Sequence, residues 1–281
     1  MKMGVVSRSY PGMDVKATAA FLAARGLNCT ELCMLHPDFN GWAYNGLSAL
    51  DDNGITRELT KQKADVFRDH GVEVTAFGVF TDLLSPDDGY RQECIDMFIR
   101  CMDFAAYAGI PNVSTELGFR PGRRGITTDV YEADFIRLKQ SFAALGRAAK
   151  DRGLTVCIEA CVIDVVPSAK RLRDFILQIK DESGLTNIKV LLDMANFIAN
   201  SDEDDVFKYL TPYVVYCHGK DRKVNDVTGR MFGDGDIDWV KFFKNYFKFT
   251  PDAPFIFEYV NPETTDTAIE RAKRYIAEAK A

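Results

Sequence analysis

The sequence predicts a single (β/α)8 barrel, and three observations carry that reading. Short apolar runs alternate with longer amphipathic segments about eight times along the chain, the pattern of a parallel α/β fold. Its 281 residues leave little over from the roughly 250 that such a barrel takes, so one domain spanning 1–281 is expected rather than two. No G-x-G-x-x-G turn follows the first apolar run, which removes the main support for an open doubly wound sheet with the same alternation.

Taken in order, the strand candidates are 3–7, 29–35, 73–79, 112–116, 155–160, 189–193, 214–218 and 255–259. Several lack strict alternation, as expected of strands buried on both faces. Helices are expected over 15–24, 56–69, 90–108, 134–151, 169–180, 204–210, 237–247 and 265–279. Many of them end on a glycine just ahead of the next strand, as in Arg25-Gly26, His70-Gly71, Ala108-Gly109 and Arg152-Gly153, the residue a left-handed helix cap favours. Two connections are long, and both follow strands, where a barrel carries its active-site loops. The first runs over 36–55 with Trp42 and Tyr44, the second over 219–236. Both are candidate lids.

Composition bounds the function. Hydrophobic residues make up 47% and charged residues 27%, the balance of a soluble globular protein. The net charge of −6, spread along the chain, argues against a nucleic-acid binder. The one basic cluster, Arg120, Arg123 and Arg124, is broken by Pro121 and Gly122 and suits a small phosphate better than a nucleic-acid backbone. Seven cysteines, an odd number without a signal peptide, are expected as reduced core thiols in a cytoplasm. No apolar run approaches the roughly 20 residues that span a bilayer.

The chemistry is carried by the last four strand ends. In Thr-Val-Cys-Ile-Glu159, Val-Leu-Leu-Asp193, Val-Val-Tyr-Cys-His218 and Phe-Ile-Phe-Glu258 an apolar run ends in a metal-competent side chain. One such ending carries little weight, because a carboxylate at a strand end is usually solvated or paired. Four in succession converge on one barrel mouth. Three carboxylates brought that close repel one another and take up protons unless a cation shares the site. One divalent ion is therefore expected, and oxygen-rich ligation with one imidazole suits manganese, magnesium, cobalt or zinc.

These residues resemble the xylose-isomerase-like barrels, in the branch of sugar-phosphate isomerases and ketose 3-epimerases. The resemblance runs through Cys157-Ile158-Glu159, Leu192-Asp193, His218-Gly219-Lys220-Asp221 and Glu258, with Gly233-Asp234-Gly235-Asp236-Ile237-Asp238-Trp239 similar to the family's G-x-G-x-x-D-W segment. It implies that Glu159, Asp193, His218 and Glu258 are the metal ligands and that Glu159 and Glu258 also act as acid/base catalysts. A metal-stabilised enediolate would then link proton removal beside a carbonyl to proton return. Asn196 stands where ketose 3-epimerases usually carry a histidine, and Val224 where they carry an arginine, with Arg222 two residues earlier. Lys220 and Asp221 match the broader family.

Further substrate-binding candidates are His36, Glu116, Asn196, Lys220, Asp221 and Arg222. Glu116 ends the fourth strand and could bind a sugar hydroxyl or form a rim ion pair, and His36 could face the substrate or fix its loop through Pro37. Trp42 and Phe119 could wall a sugar site. His70 precedes a helix-capping glycine and complements the negative helix end. The function expected is a metal-dependent isomerase or epimerase of a small sugar or sugar-phosphate. The alternatives are a polyol-ketone dehydratase of the inosose type, an apurinic endonuclease-like hydrolase and a non-catalytic sugar-binding barrel. Neither nucleic acid nor membrane is expected as a partner, and a homo-oligomer is left open.

Overall fold

Eight parallel strands pair in sequence order and the last closes on the first, giving a closed barrel. The computed structural model describes residues 1–51, 54–118 and 130–281; Phe119 and the cluster Arg120, Arg123 and Arg124 lie outside them. The strands are β1 (Met3–Val6), β2 (Cys29–Cys33), β3 (Glu73–Gly78), β4 (Asn112–Glu116), β5 (Thr155–Glu159), β6 (Ile188–Asp193), β7 (Val214–Gly219) and β8 (Phe255–Phe257). Each is followed by a helix: α1 (Val15–Ala24), α2 (Arg57–Asp69), α3 (Asp88–Tyr107), α4 (Tyr131–Asp151), α5 (Ala169–Ser183), α6 (Glu203–Leu210), α7 (Trp239–Phe249) and α8 (Thr265–Lys280).

Local chemistry sets the boundaries. Asp14, Thr56, Asp87, Ser168, Asp202 and Asp238 each turn a side-chain oxygen onto a free N–H of the following helix's first turn, satisfying donors the helix cannot pair itself. These caps account for two departures from expectation: α3 starts at Asp88 because Asp87 caps it, and α7 starts at Trp239 because Asp238 does. At the other end, Gly26 and Gly71 take the left-handed conformation (φ 69° and 73°) that the helix-terminal glycines predict. α4 begins at Tyr131, before the expected 134, and that extra turn is held by Arg171 Nε donating to the Tyr131 hydroxyl at 2.8 Å.

Packing closes the barrel on itself. α7 buries Trp239, Phe242, Phe243 and Tyr246, positions that fall on one face of a helix, and Trp239 and Phe243 pack on Phe255 of β8 with ring centroids 6.0 and 5.3 Å apart. All seven cysteines are free thiols, six of them buried. Among the described residues no helix is long and apolar enough to cross a membrane. Two register pairs matter for the site. Glu116 on β4 lies opposite Glu159 on β5, and Asp193 on β6 opposite His218 on β7.

Candidate metal centre

The strand ends converge as the barrel geometry requires. Glu159, Asp193, His218 and Glu258 are all buried, and each offers a ligand atom within 4.8 Å of the others. Ligands about 2.1 Å from a shared octahedral ion sit roughly 3 to 4 Å apart, so the cluster has the span of a metal site. β8 stops at Phe257, one residue before Glu258, because Tyr259 takes a left-handed conformation (φ 56°) that leaves the ladder.

His218 shows how the pocket is prepared. Its Nε2 lies 2.8 Å from Glu31 Oε2, while Nδ1 is buried without a hydrogen-bond partner, 3.6 Å from Glu159 Oε1 and 3.7 Å from Glu258 Oε2. With an ion bound, the Nε2 proton would be given to Glu31 and Nδ1 would turn its lone pair toward the ion. That is the arrangement in which a carboxylate fixes the tautomer of a metal-binding histidine. An orphaned nitrogen facing three carboxylates fits an ion held by all four side chains. Glu31 is itself fully engaged: the Tyr216 hydroxyl donates to Oε2 and Ser114 Oγ to Oε1, both at 2.8 Å. Gly78 makes room for it, since a Cβ there would come within 2.6 Å of Glu31 Oε1.

Lys220 brings the protein's own cation into the same space. Its Nζ lies 2.7 Å from Asp193 Oδ2, 2.8 Å from Glu258 Oε2 and 3.3 Å from Glu159 Oε1. Arg8, in the turn just after β1, contacts the other oxygen of Glu258. With Glu31 counted, Lys220 and Arg8 bring two positive charges to four buried carboxylates, and the His218 ring lies among them. Burial opposes charge on both glutamates, yet Lys220 and His218 hold Glu159 well below the usual range, and Lys220, Arg8 and His218 hold Glu258 down. Asp193 is pushed up to about 7 by burial, against the pull of Lys220 and with Glu159 and Glu258 adding to the rise. Burial opposes a charge on His218 too, but Glu159 and Glu31 drive its affinity for a proton well up. The cluster is short of positive charge, and a divalent ion would supply it.

The remaining sequence candidates separate into those at the cluster and those away from it. Asn196 Nδ2 donates to Glu159 Oε1 at 2.8 Å and to Asp193 Oδ2 at 3.3 Å, and its Oδ1 accepts from Arg222 at 3.0 Å. Arg222 thus acts on the cluster through Asn196. Asp221 turns away: it accepts from the backbone of Arg222, Gly233 and Ile237 and from Trp239 Nε1 at 2.8 Å, which pins the 219–236 loop and gives the Gly-Asp-Gly-Asp-Ile-Asp-Trp segment its shape. Glu116 accepts from the Tyr44 hydroxyl of the 36–55 loop, and burial with the neighbouring Glu159 pushes it up to about 7. His36 is buried in the first turn of that loop, its Nδ1 accepting from Asp38 N–H at 3.2 Å. His70 lies 2.8 Å from the Val66 carbonyl at the end of α2. Trp42 is exposed.

Four residues at the mouth escaped the sequence reading: Arg8, Glu31, Tyr44 in its contact with Glu116, and Asp164. Asp164 is buried after β5, where it accepts from Cys161 N–H at 2.9 Å, keeps one oxygen unpartnered and is pushed up by burial and by Glu116. Glu31 did carry a signal, a carboxylate amid the fully buried Cys-Thr-Glu-Leu-Cys strand, since such a group is almost never buried unpaired.

A closed parallel barrel with a histidine and three carboxylates at its mouth defines a class of metal-competent α/β barrels. The chain belongs to the xylose isomerase-like TIM barrel family, whose model matches residues 19–279. Among solved structures it is similar to a D-tagatose 3-epimerase-like protein (13% identity, TM-score 0.79, covering 100% of this chain and 98% of that one). It is similar also to D-psicose 3-epimerase of Clostridium cellulolyticum, solved with D-tagatose (17%, 0.73, 100% and 98%), and to an IOLI protein with a binding zinc atom (15%, 0.74, 99% and 98%). No curated protein sequence matches the chain. At these identities the likeness is one of fold.

Proposed function

We propose that the protein is a divalent-metal-dependent isomerase or epimerase of a small sugar or sugar derivative, working by proton transfer at the carbon beside a carbonyl. The observation that carries this reading is the buried group Glu159, Asp193, His218 and Glu258, with His218 Nδ1 facing the carboxylates unpartnered. It is supported by the family and by structural neighbours that include D-psicose 3-epimerases. A divalent ion held by these four residues supplies positive charge beside the negative charge that develops when that carbon loses its proton.

The chain's own residues do the rest. Glu159 and Glu258 stand on β5 and after β8, on separate sides of the mouth, so one carboxylate can take the proton from one face of the substrate and the other can return it to the opposite face. Asn196 holds Glu159 in orientation and Arg8 holds Glu258. With His36 and His70 engaged in local turns, a single imidazole is left in the cluster, which favours one ion over the several of a hydrolase-type centre. The test is exchange in deuterated water. After loading with manganese, the protein should place deuterium at the carbon beside the carbonyl of at least one ketose, as read by proton NMR. A folded, metal-loaded protein that exchanges no carbon-bound proton in a broad panel of ketoses and their phosphates refutes the reading.

A further inference from the structure

Arg222 is a buried cation whose guanidinium bonds neutral groups. It is 4% exposed. Among the described residues its guanidinium donates to Asn196 Oδ1 at 3.0 Å and to the Val227 carbonyl, while its buried Nε has no partner. Burying a charge without a carboxylate against it is costly, so the position calls for a role beyond packing.

The 219–236 loop builds a rigid mount for this side chain. Arg222 N–H donates to Asp221 Oδ1 at 2.8 Å, and the Arg222 carbonyl accepts from Asp236 N–H at 3.0 Å. Gly235 lets the returning arm of the loop close on it, since a Cβ there would lie 2.4 Å from Arg222 O. With its backbone clamped, the guanidinium spans two neighbours. On one side is Asn196, beside the cluster; on the other is the loop tip, where Val227 is exposed. The tip is seated in turn against the barrel, with Gly229 so close to Tyr259 that a Cβ would come within 2.5 Å of the ring.

The amide between Arg222 and the cluster has one orientation. A guanidinium only donates and an ionised carboxylate only accepts. Oδ1 of Asn196 therefore faces Arg222, and Nδ2 faces Glu159 Oε1 at 2.8 Å and Asp193 Oδ2 at 3.3 Å. Holding Oε1 fixes the direction in which the other oxygen of Glu159 points, and a small misplacement of a reacting group can cost about 100-fold in rate.

We propose that Arg222 is a positioning residue for Glu159, acting through the Asn196 amide, and that its grip on the Val227 carbonyl ties the aim of this glutamate to the seating of the loop tip. This rests on the function proposed above and adds what orients its base. The variants that test it are Arg222→Met, Arg222→Lys, Asp226→Ala and the double variant Arg222→Met with Asp226→Ala. Asp226 lies outside the cluster and holds the tip by accepting from Thr228 N–H at 2.9 Å and from Arg230 at 2.8 Å. The first measurement is deuterium exchange of the Asn196 side-chain amide by NMR, in metal-free protein with isotopically labelled asparagine, the signal being identified by its loss in Asn196→Leu. Exchange should quicken about tenfold or more in Arg222→Met, the effect of one hydrogen bond to a charged group. It should quicken less in Arg222→Lys and Asp226→Ala, and no further in the double variant than in Arg222→Met. The second is deuterium incorporation into an accepted ketose by the manganese-loaded protein. Arg222→Met should lower kcat about tenfold or more with KM changed less than about threefold, Arg222→Lys should recover part, and Asp226→Ala should lower kcat only where Arg222 is present.

Unchanged amide exchange in Arg222→Met and Arg222→Lys refutes the proposal. So does a raised KM with kcat intact, because Arg222 would then contact the substrate itself. Additive losses in the double variant break the tie to the loop tip. If the wild type incorporates no deuterium, the isomerase reading falls, and amide exchange alone decides whether Arg222 sets Asn196 from the loop.

Discussion

Lys220→Met removes the protein's own cation from the metal cluster and should act in opposite directions on the metal-free and metal-loaded protein. The ammonium is buried and within 2.7, 2.8 and 3.3 Å of oxygens on Asp193, Glu258 and Glu159. Removing one partner of a buried ion pair costs about 3–5 kcal/mol, because it strands the other charge. In chelator the variant should therefore unfold roughly 6–20 °C below the wild type, taking about 2–4 °C per kcal/mol for a domain approaching this size. Loading reverses the balance. The same oxygens that hold Nζ are those a divalent ion would use, so the ammonium competes for its place, and its removal should tighten manganese binding by about 10–100-fold, on the order of 1.4–2.8 kcal/mol. Differential scanning fluorimetry with and without chelator, together with calorimetric titration of manganese, reads both effects. Equal melting temperatures in chelator, or weaker manganese binding by the variant, would refute the argument that Lys220 and the ion share one space.

The other predictions follow from the same geometry. Glu159→Gln and Glu258→Gln should each lower turnover of an accepted sugar by roughly 100-fold or more, while metal content by elemental analysis falls less; near-normal turnover would leave these residues as ligands only. His218→Ala should lose manganese affinity that His36→Ala retains, since only His218 faces the carboxylates. Glu31→Ala should weaken metal binding by about 10–100-fold without removing a ligand, because it frees the His218 ring, and Glu31→Gln should recover part of the loss. Burial lowers the pKa of His36 to about 4, so between pH 6.5 and 4 the unfolded chain binds a proton the folded chain refuses. Stability should fall by up to about 3 kcal/mol as pH drops through that window, and His36→Asn, which keeps an acceptor for Asp38 N–H, should show a shallower slope in urea titrations at several pH values.

Much of the fold was legible because its signals are local. β4 and α1 fall over the expected residues, and α1 is capped by Asp14. Boundaries moved where a side chain acts across the chain. The start of α4 depends on Arg171 reaching Tyr131 from α5, and the end of β8 on Tyr259 leaving the ladder. Periodicity within a single segment records neither event.

The same division runs through the site. Glu159, Asp193, His218 and Glu258 could be picked out because each ends an apolar run, and strand order alone brings such ends to one mouth. The residues that orient them come from farther away. Glu31 reaches His218 from β2, Ser114 reaches Glu31 from β4, and Arg8 reaches Glu258 from the turn after β1. The candidate ligands thus lie on the second half of the barrel and much of their support on the first. The two halves meet along β4 and β5 and again where β1 closes on β8, a pairing that runs Met3 to Phe255, Gly4 to Ile256 and Val5 to Phe257. Closure brings the Arg8 guanidinium to Glu258, so the set of charges that would surround an ion is complete only in the closed barrel. A sequence window can propose the ligands, but the contacts that hold His218 through Glu31 and Glu258 through Arg8 arise only with the closure.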